Sequence, residues 1–253
     1  MKERLPDQKP AFINSQTGAQ ISYARLRLDV ARLASGLQKK LHISPAPYHA
    51  GSRKDAIVSP IVALHLPNCI PFAVIEHAIW QAGLTVTAAN SALKPAELSY
   101  ILASSKPVAI FTLAGPGGID VVSEAISLLE DKELARQFKD KIFTIDLDAD
   151  DYGLSHPSVS ASRLPNGVQD WKTVMDLSVK TSKDVAFPQY TNKGESARRT
   201  AIILWSSGTS GKSKGVILSH EALVANVQSL FYGNLDFGRD EVFIGFAPFF
   251  HIL

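Results

Sequence analysis

Apolar positions along this chain follow two alternating rhythms. Leu26, Val30, Leu33, Leu37 and Leu41 recur every three or four residues, which predicts a helix with Ser22 placed to cap it. Ile57 to Leu66 is an apolar run of the strand type, and Asn68 reads as the cap of a helix running to Gln81. Pro71 is tolerated in that helix's first turn, and Gly83 ends it. Thr85 to Thr87 reads as a short strand, Pro95 to Ser104 as a helix, and Val108 to Thr112 as a strand. A single helix is expected over 119–138, with Val122, Ala125, Ile126 and Leu129 inward, and then a strand over Lys141 to Ile145. Ala201 to Trp205 and Val216 to Leu218 predict two more strands, Ser219 to Tyr232 a helix, and Val242 to Ala247 a last strand. Strand and helix alternate, so the predicted fold class is α/β, a mainly parallel sheet flanked by helices.

Between these segments lie surface loops. Residues 43–54 are rich in Pro, His and Gly, 146–166 are acidic and then rich in Ser, Pro and Asn, and 178–198 are similar. Gly115-Pro116-Gly117-Gly118 reads as a turn and lacks the G-x-G-x-x-G spacing of a dinucleotide fingerprint.

Composition narrows the function classes. A hydrophobic content of 45% and a charged content of 20% are those of a globular protein. A net charge of +2 gives no electrostatic case for nucleic acid, and Lys39-Lys40 and Arg198-Arg199 read as solvated pairs. Cys69 is the only cysteine, which excludes an internal disulfide and suits a reducing, intracellular setting; it reads as a small buried hydrophobe near a helix start. The residues from Met1 to Asp7 do not resemble a signal peptide, and no apolar run reaches the ~18 residues of a membrane span. The seven histidines show no spacing of the H-x-x-H kind, so no metal site is expected.

The densest chemistry lies between the last two predicted strands of the sheet. Ser206-Ser207-Gly208-Thr209-Ser210-Gly211-Lys212-Ser213-Lys214-Gly215 joins them. Glycines let backbone N–H groups converge on an anion, hydroxyls add donors, and lysine adds compact positive charge. The ligand this composition suits is a nucleotide polyphosphate. Gly211-Lys212-Ser213 matches the end of a P-loop, but Ser206 stands where its first glycine belongs. The strand-like Gly215-Val216-Ile217-Leu218 follows where a P-loop needs a helix. A solvated Ser/Gly hairpin is the plainer reading of the same stretch.

Ser206 to Gly215, with Val216 and Ser219-His220 after it, resembles the phosphate-binding loop of the adenylate-forming enzymes, whose usual form is Ser/Thr-Ser/Thr-Gly-Ser/Thr-Ser/Thr-Gly-x-Pro-Lys-Gly. The single departure is Ser213 in place of proline, which frees φ and adds an N–H. Pro248-Phe249-Phe250-His251-Ile252 resembles the Phe-His segment after the next strand of these enzymes, in the acyl- and aryl-CoA synthetase branch that includes 4-coumarate–CoA ligases and firefly luciferase. Ile21 to Leu26, Val62 to Asn68 and Ala82 to Asn90 resemble further segments of the family. The likeness is weakest over 113–198.

The resemblance implies an N-terminal fragment of an ATP-dependent carboxylic acid–CoA ligase, with ATP, Mg²⁺ and coenzyme A as cofactor or co-substrates and a small carboxylic acid as substrate. Ser206, Ser207, Gly208, Thr209, Ser210, Gly211, Lys214 and Gly215 are then the nucleotide-binding residues. Lys214 and His251 carry catalytic roles, and Phe249, Phe250 and His251 border the acid pocket. The Mg²⁺ ligands are expected mostly outside this chain. His220 takes the family's Thr-His position, with a surface histidine at a helix start as the alternative. The resemblance also implies a division into 1–56, a helix and loop packing on a second α/β unit, 57–235, the subdomain with the phosphate loop, and 236–253, the truncated start of the second unit. Apolar surface on 22–41 and on 242–253 is then expected to be uncovered and to favour self-association, and the fragment alone is expected to be inactive. A cytoplasmic and a peroxisomal location both fit. A non-catalytic nucleotide-binding or interaction protein of the same fold, and a fragment of a peptide-synthetase adenylation domain, remain alternatives.

Overall fold

In the computed structural model the described residues are 7–42, 56–147, 164–185, 187–188, 190, 192, 194–206, 213–232 and 240–251. The predicted loop at 43–54 lies outside them. A short antiparallel pair, β1 (Pro10–Ile13) and β2 (Gln20–Ser22), leads into helix α1 (Tyr23–Leu41). The Ser22 hydroxyl caps α1 as expected, accepting the Arg25 N–H at 3.2 Å.

The chain then builds a seven-stranded sheet from β3 (Ile61–His65), β4 (Thr85–Ala89), β5 (Ala109–Leu113), β6 (Ile142–Ile145), β7 (Val168–Asp170), β8 (Thr200–Ser206) and β9 (Lys214–Ser219). The spatial order is β7-β6-β5-β3-β4-β8-β9. All neighbours run parallel except β8 and β9. The strand period of two sorts the side chains cleanly. Val62, Leu64, Val86, Ala88 and Phe111 face α1 and α2 (Ile70–Gln81), while Ala63, Ala89 and Ile110 face α3 (Pro95–Ser105) and α4 (Val121–Ser127). Burial on both faces explains why these strands read as mainly apolar or β-branched runs rather than as alternating ones.

Sequence expectation and structure differ in several places. The helix expected over 119–138 is two, α4 and α5 (Lys132–Gln137), because Asp131 caps the second by accepting the Glu133 and Leu134 N–H groups at 3.1 and 3.0 Å. The apolar face of α1 is covered within this unit: Val30, Leu33, Ala34 and Leu37 pack in one core with α2. A Cβ on Gly36 would lie 1.6 Å from the Val174 carbonyl oxygen, so the 3-10 turn at Trp171–Val174 rests directly on the helix backbone. No strand forms over 242–247, since none of the described strands lies alongside to take its hydrogen bonds. Val242, Ile244 and Phe246 are 78%, 85% and 86% exposed there. Finally, Arg199 is not solvated: it is buried against Glu195 at 2.7 Å in the short helix α6 (Glu195–Arg198) and its flank.

Candidate functional site

The chain diverges between β3 and β5. Helix α2 leaves β3 on one face of the sheet toward β4, and α4 leaves β5 on the other toward β6. The crevice outside the carboxyl ends of two such strands is where open α/β sheets bind ligands. Both sequence-predicted groups come to this end of the sheet.

Next to β4 stands the β8–β9 hairpin, whose mouth opens at the same end. Ser206 closes β8 and Lys214 opens β9, directly opposite each other, and the Ser206 hydroxyl contacts the Lys214 carbonyl at 3.4 Å. Lys214 is exposed. Ser207, Gly208, Thr209, Ser210 and Gly211, between them, lie outside the described residues. The mouth is anchored from beneath. Trp205 Nε1 donates to Thr87 Oγ1 on β4 at 2.9 Å, and Tyr100 of α3 meets the indole edge to face at 6.3 Å. Gly215 pairs with Trp205 across the hairpin, and a Cβ there would come within 3.1 Å of Ile203 and 3.5 Å of the indole. The glycine therefore makes room for the ring that holds the mouth.

The second group approaches from β3. Asn68 does not cap α2, whose first flanking residue is Cys69, with no side-chain cap bond. The Asn68 amide instead binds the segment before His251. Its Nδ2 donates to the carbonyls of Gly245 at 3.1 Å and Ala247 at 2.8 Å, and its Oδ1 accepts the Phe249 N–H at 2.8 Å. Phe249 meets Phe72 of α2 edge to face at 5.5 Å, and Phe250 packs on the same core. His251 is exposed. The hairpin mouth and this segment are separated by β4, roughly 10 Å at the usual strand spacing.

His220 belongs elsewhere. It opens helix α7 (His220–Tyr232) after Ser219, which pairs with Thr200 at the start of β8. Five strand steps, roughly 17 Å, separate it from the mouth. Its ring packs on Tyr190 at 5.3 Å and Trp80 at 6.4 Å, and burial followed by the Arg199 charge pushes it below the usual histidine range.

Sequence reasoning passed over His65. It ends β3, is 1% exposed, and its Nδ1 lies 3.1 Å from Thr112 Oγ1 on β5. Nε2 has no hydrogen-bond partner among the described residues. Burial pushes its pKa down to about 4, so it is a neutral imidazole at pH 7. The only signal was a histidine at the end of an apolar run.

The profile of the AMP-binding enzyme family matches residues 2–253, the described sheet and both groups included. This chain belongs to that family. It is 29% identical over 244 residues to 4-coumarate–CoA ligase-like 2 of Arabidopsis thaliana, covering 96% of this chain and 36% of that protein. It is 28% identical over 247 residues to 4-coumarate–CoA ligase of Pinus taeda, covering 96% and 37%. The chain thus spans a little over a third of the curated relatives it matches. Its fold is shared by acetoacetyl-CoA synthetase from Streptomyces lividans, with a TM-score of 0.63, 20% identity, and 89% and 30% of the two chains covered. It is shared also by ATP-bound MatB from Rhodopseudomonas palustris, with a TM-score of 0.57, 20% identity, and 90% and 35% covered. As an AMP-binding enzyme chain it carries no described helix long and apolar enough to cross a membrane.

Proposed function

We propose that this chain is the N-terminal part of an ATP-dependent carboxylic acid–CoA ligase. In that reaction a carboxylate attacks the α-phosphate of ATP in line, forming the acyl-adenylate and releasing pyrophosphate. The thiol of coenzyme A then displaces AMP. The first step requires that the departing pyrophosphate be neutralised and the carboxylate be aligned. Ser206 and Lys214, with the loop from Ser207 to Gly211, would meet the first demand; Phe249, Phe250 and His251 would border the acid. The observation that supports this reading is that the hairpin mouth and the 249–251 segment both stand at the carboxyl end of the parallel strands, in a chain of this family. Mg²⁺ is left without assigned ligands: no group of three His, Cys, Asp or Glu side chains among the described residues suits a metal ion. The acid, nucleotide and thiol sites of the whole protein are thus only partly assigned to this chain, and turnover by it alone is not expected.

The test is calorimetric titration of the chain with ATP and with pyrophosphate, alongside Lys214→Ala. Loss of a charge-assisted contact should weaken binding about 10- to 100-fold. No heat of binding in the unmodified chain, or an unchanged affinity in the variant, overturns the reading. ATP–pyrophosphate exchange by this chain alone overturns its inactivity.

A further inference from the structure

Asn68 satisfies three backbone groups of one segment with one side chain: two carbonyls, at 245 and 247, and one N–H, at 249. Only a primary amide donates twice and accepts once at such spacing. The segment it holds forms no strand or helix of its own. Beside Asn68, the Phe249 ring rests on Phe72, Phe250 packs on the same core, and Lys9 pairs with Asp240 at 2.9 Å at the segment's exposed start. Asn68 itself directly follows Pro67, whose fixed φ reduces the freedom of the chain leaving β3. The amide therefore stands on a rigid strand end and reaches out to an otherwise irregular chain.

We infer that Asn68 is the positioning residue of the acid-side wall, fixing the 245–249 backbone so that Phe249, Phe250 and His251 form a preset surface beside the hairpin mouth. The name of that wall rests on the function proposed above; the holding role does not. Aspartate is the sharpest replacement. It keeps the acceptor for the Phe249 N–H but turns an ionised oxygen toward the carbonyls of Gly245 and Ala247. Protonation of that oxygen restores one donor.

The experiment is amide hydrogen exchange on this chain, with Asn68→Ala and Asn68→Asp, each compared with the unmodified chain at the same pH. The Phe249 amide should lose about tenfold or more of its protection in Asn68→Ala, while amides of β3 and β4 keep theirs. Asn68→Asp should lose protection at pH 7 and regain part of it at pH 4. Unchanged protection at Phe249 in Asn68→Ala overturns the inference. So does an equal loss across β3, which marks general destabilisation, and so does the absence of any recovery in Asn68→Asp. Pyrophosphate titration of the same variants should give the unmodified affinity. If the unmodified chain binds no pyrophosphate, the proposed function falls while the exchange result still decides the role of Asn68.

Discussion

Helices α1 and α7 begin alike and end in opposite surroundings. Both follow a strand through a serine whose hydroxyl accepts a first-turn N–H, Ser22 from Arg25 and Ser219 from Ala222. Both place apolar residues at helical spacing, Val30, Leu33 and Leu37 in one, Val224, Val227 and Leu230 in the other. The first set is buried; the second is about half exposed, at 54%, 53% and 47%. Periodicity states that a face needs cover, and only the rest of the fold decides whether this chain provides it. Here α2 and the turn at Trp171–Val174 cover α1, and no comparable layer of described residues lies over α7.

The difference can be broken from either side. Leu33→Ala, inside the covered face, should lower the unfolding free energy by about 2–5 kcal/mol in urea titration. Gly36→Ala attacks the cover itself. With no room before the Val174 carbonyl, the turn must lift, and a loss of about 1–3 kcal/mol is expected by the same measurement. The stability against pH probes the buried end of β3, beside β5. His65 is held at a pKa of about 4, below its ordinary 6.5, so at this site the unfolded chain binds more protons and the His65 contribution to stability falls as pH drops from 6.5 toward 4. Glu76, pushed up to about 8 by burial, slopes the opposite way over part of this range. The His65 contribution is therefore read as the difference between the unmodified chain and His65→Leu, which should approach about 1.4 kcal/mol per pH unit. Last, Val227→Glu on α7 should change stability by no more than about 0.5 kcal/mol. It should, however, shift any concentration-dependent self-association seen by sedimentation, because α7 and Val242, Ile244 and Phe246 expose large apolar side chains. A large stability loss there would mean that α7 is covered after all.

What could be read beforehand follows the same line. The central strands were legible because β3, β4 and β5 are buried on both faces, β3 and β5 reading as largely apolar runs and β4 as a β-branched one. β7 was not, because three residues, Val168–Asp170, with two polar, carry no period. Asn68 was legible as a residue that satisfies backbone groups, but its partners lie 177 to 181 positions away, and local reading assigned the nearest helix instead. Arg199 looked like half of a surface pair because its neighbour Arg198 is charged too; the helical turn that brings Glu195 beneath it is only four residues long. The Ser/Gly/Lys loop proposed to hold phosphate was the reverse case: its chemistry is written in consecutive residues, and the fold adds where the flanking strand ends, Ser206 and Lys214, stand.

The Trp205 indole gives that mouth a spectroscopic consequence. It sits one residue before Ser206, tied to Thr87 and edged by Tyr100, whereas Trp171 is sealed in the core. An anion settling between Ser206 and Lys214 would alter the field around a chromophore already in place. If the mouth takes an anion as proposed, the Trp205 indole would report it optically, against Trp171 and Trp80, which lie away from the mouth.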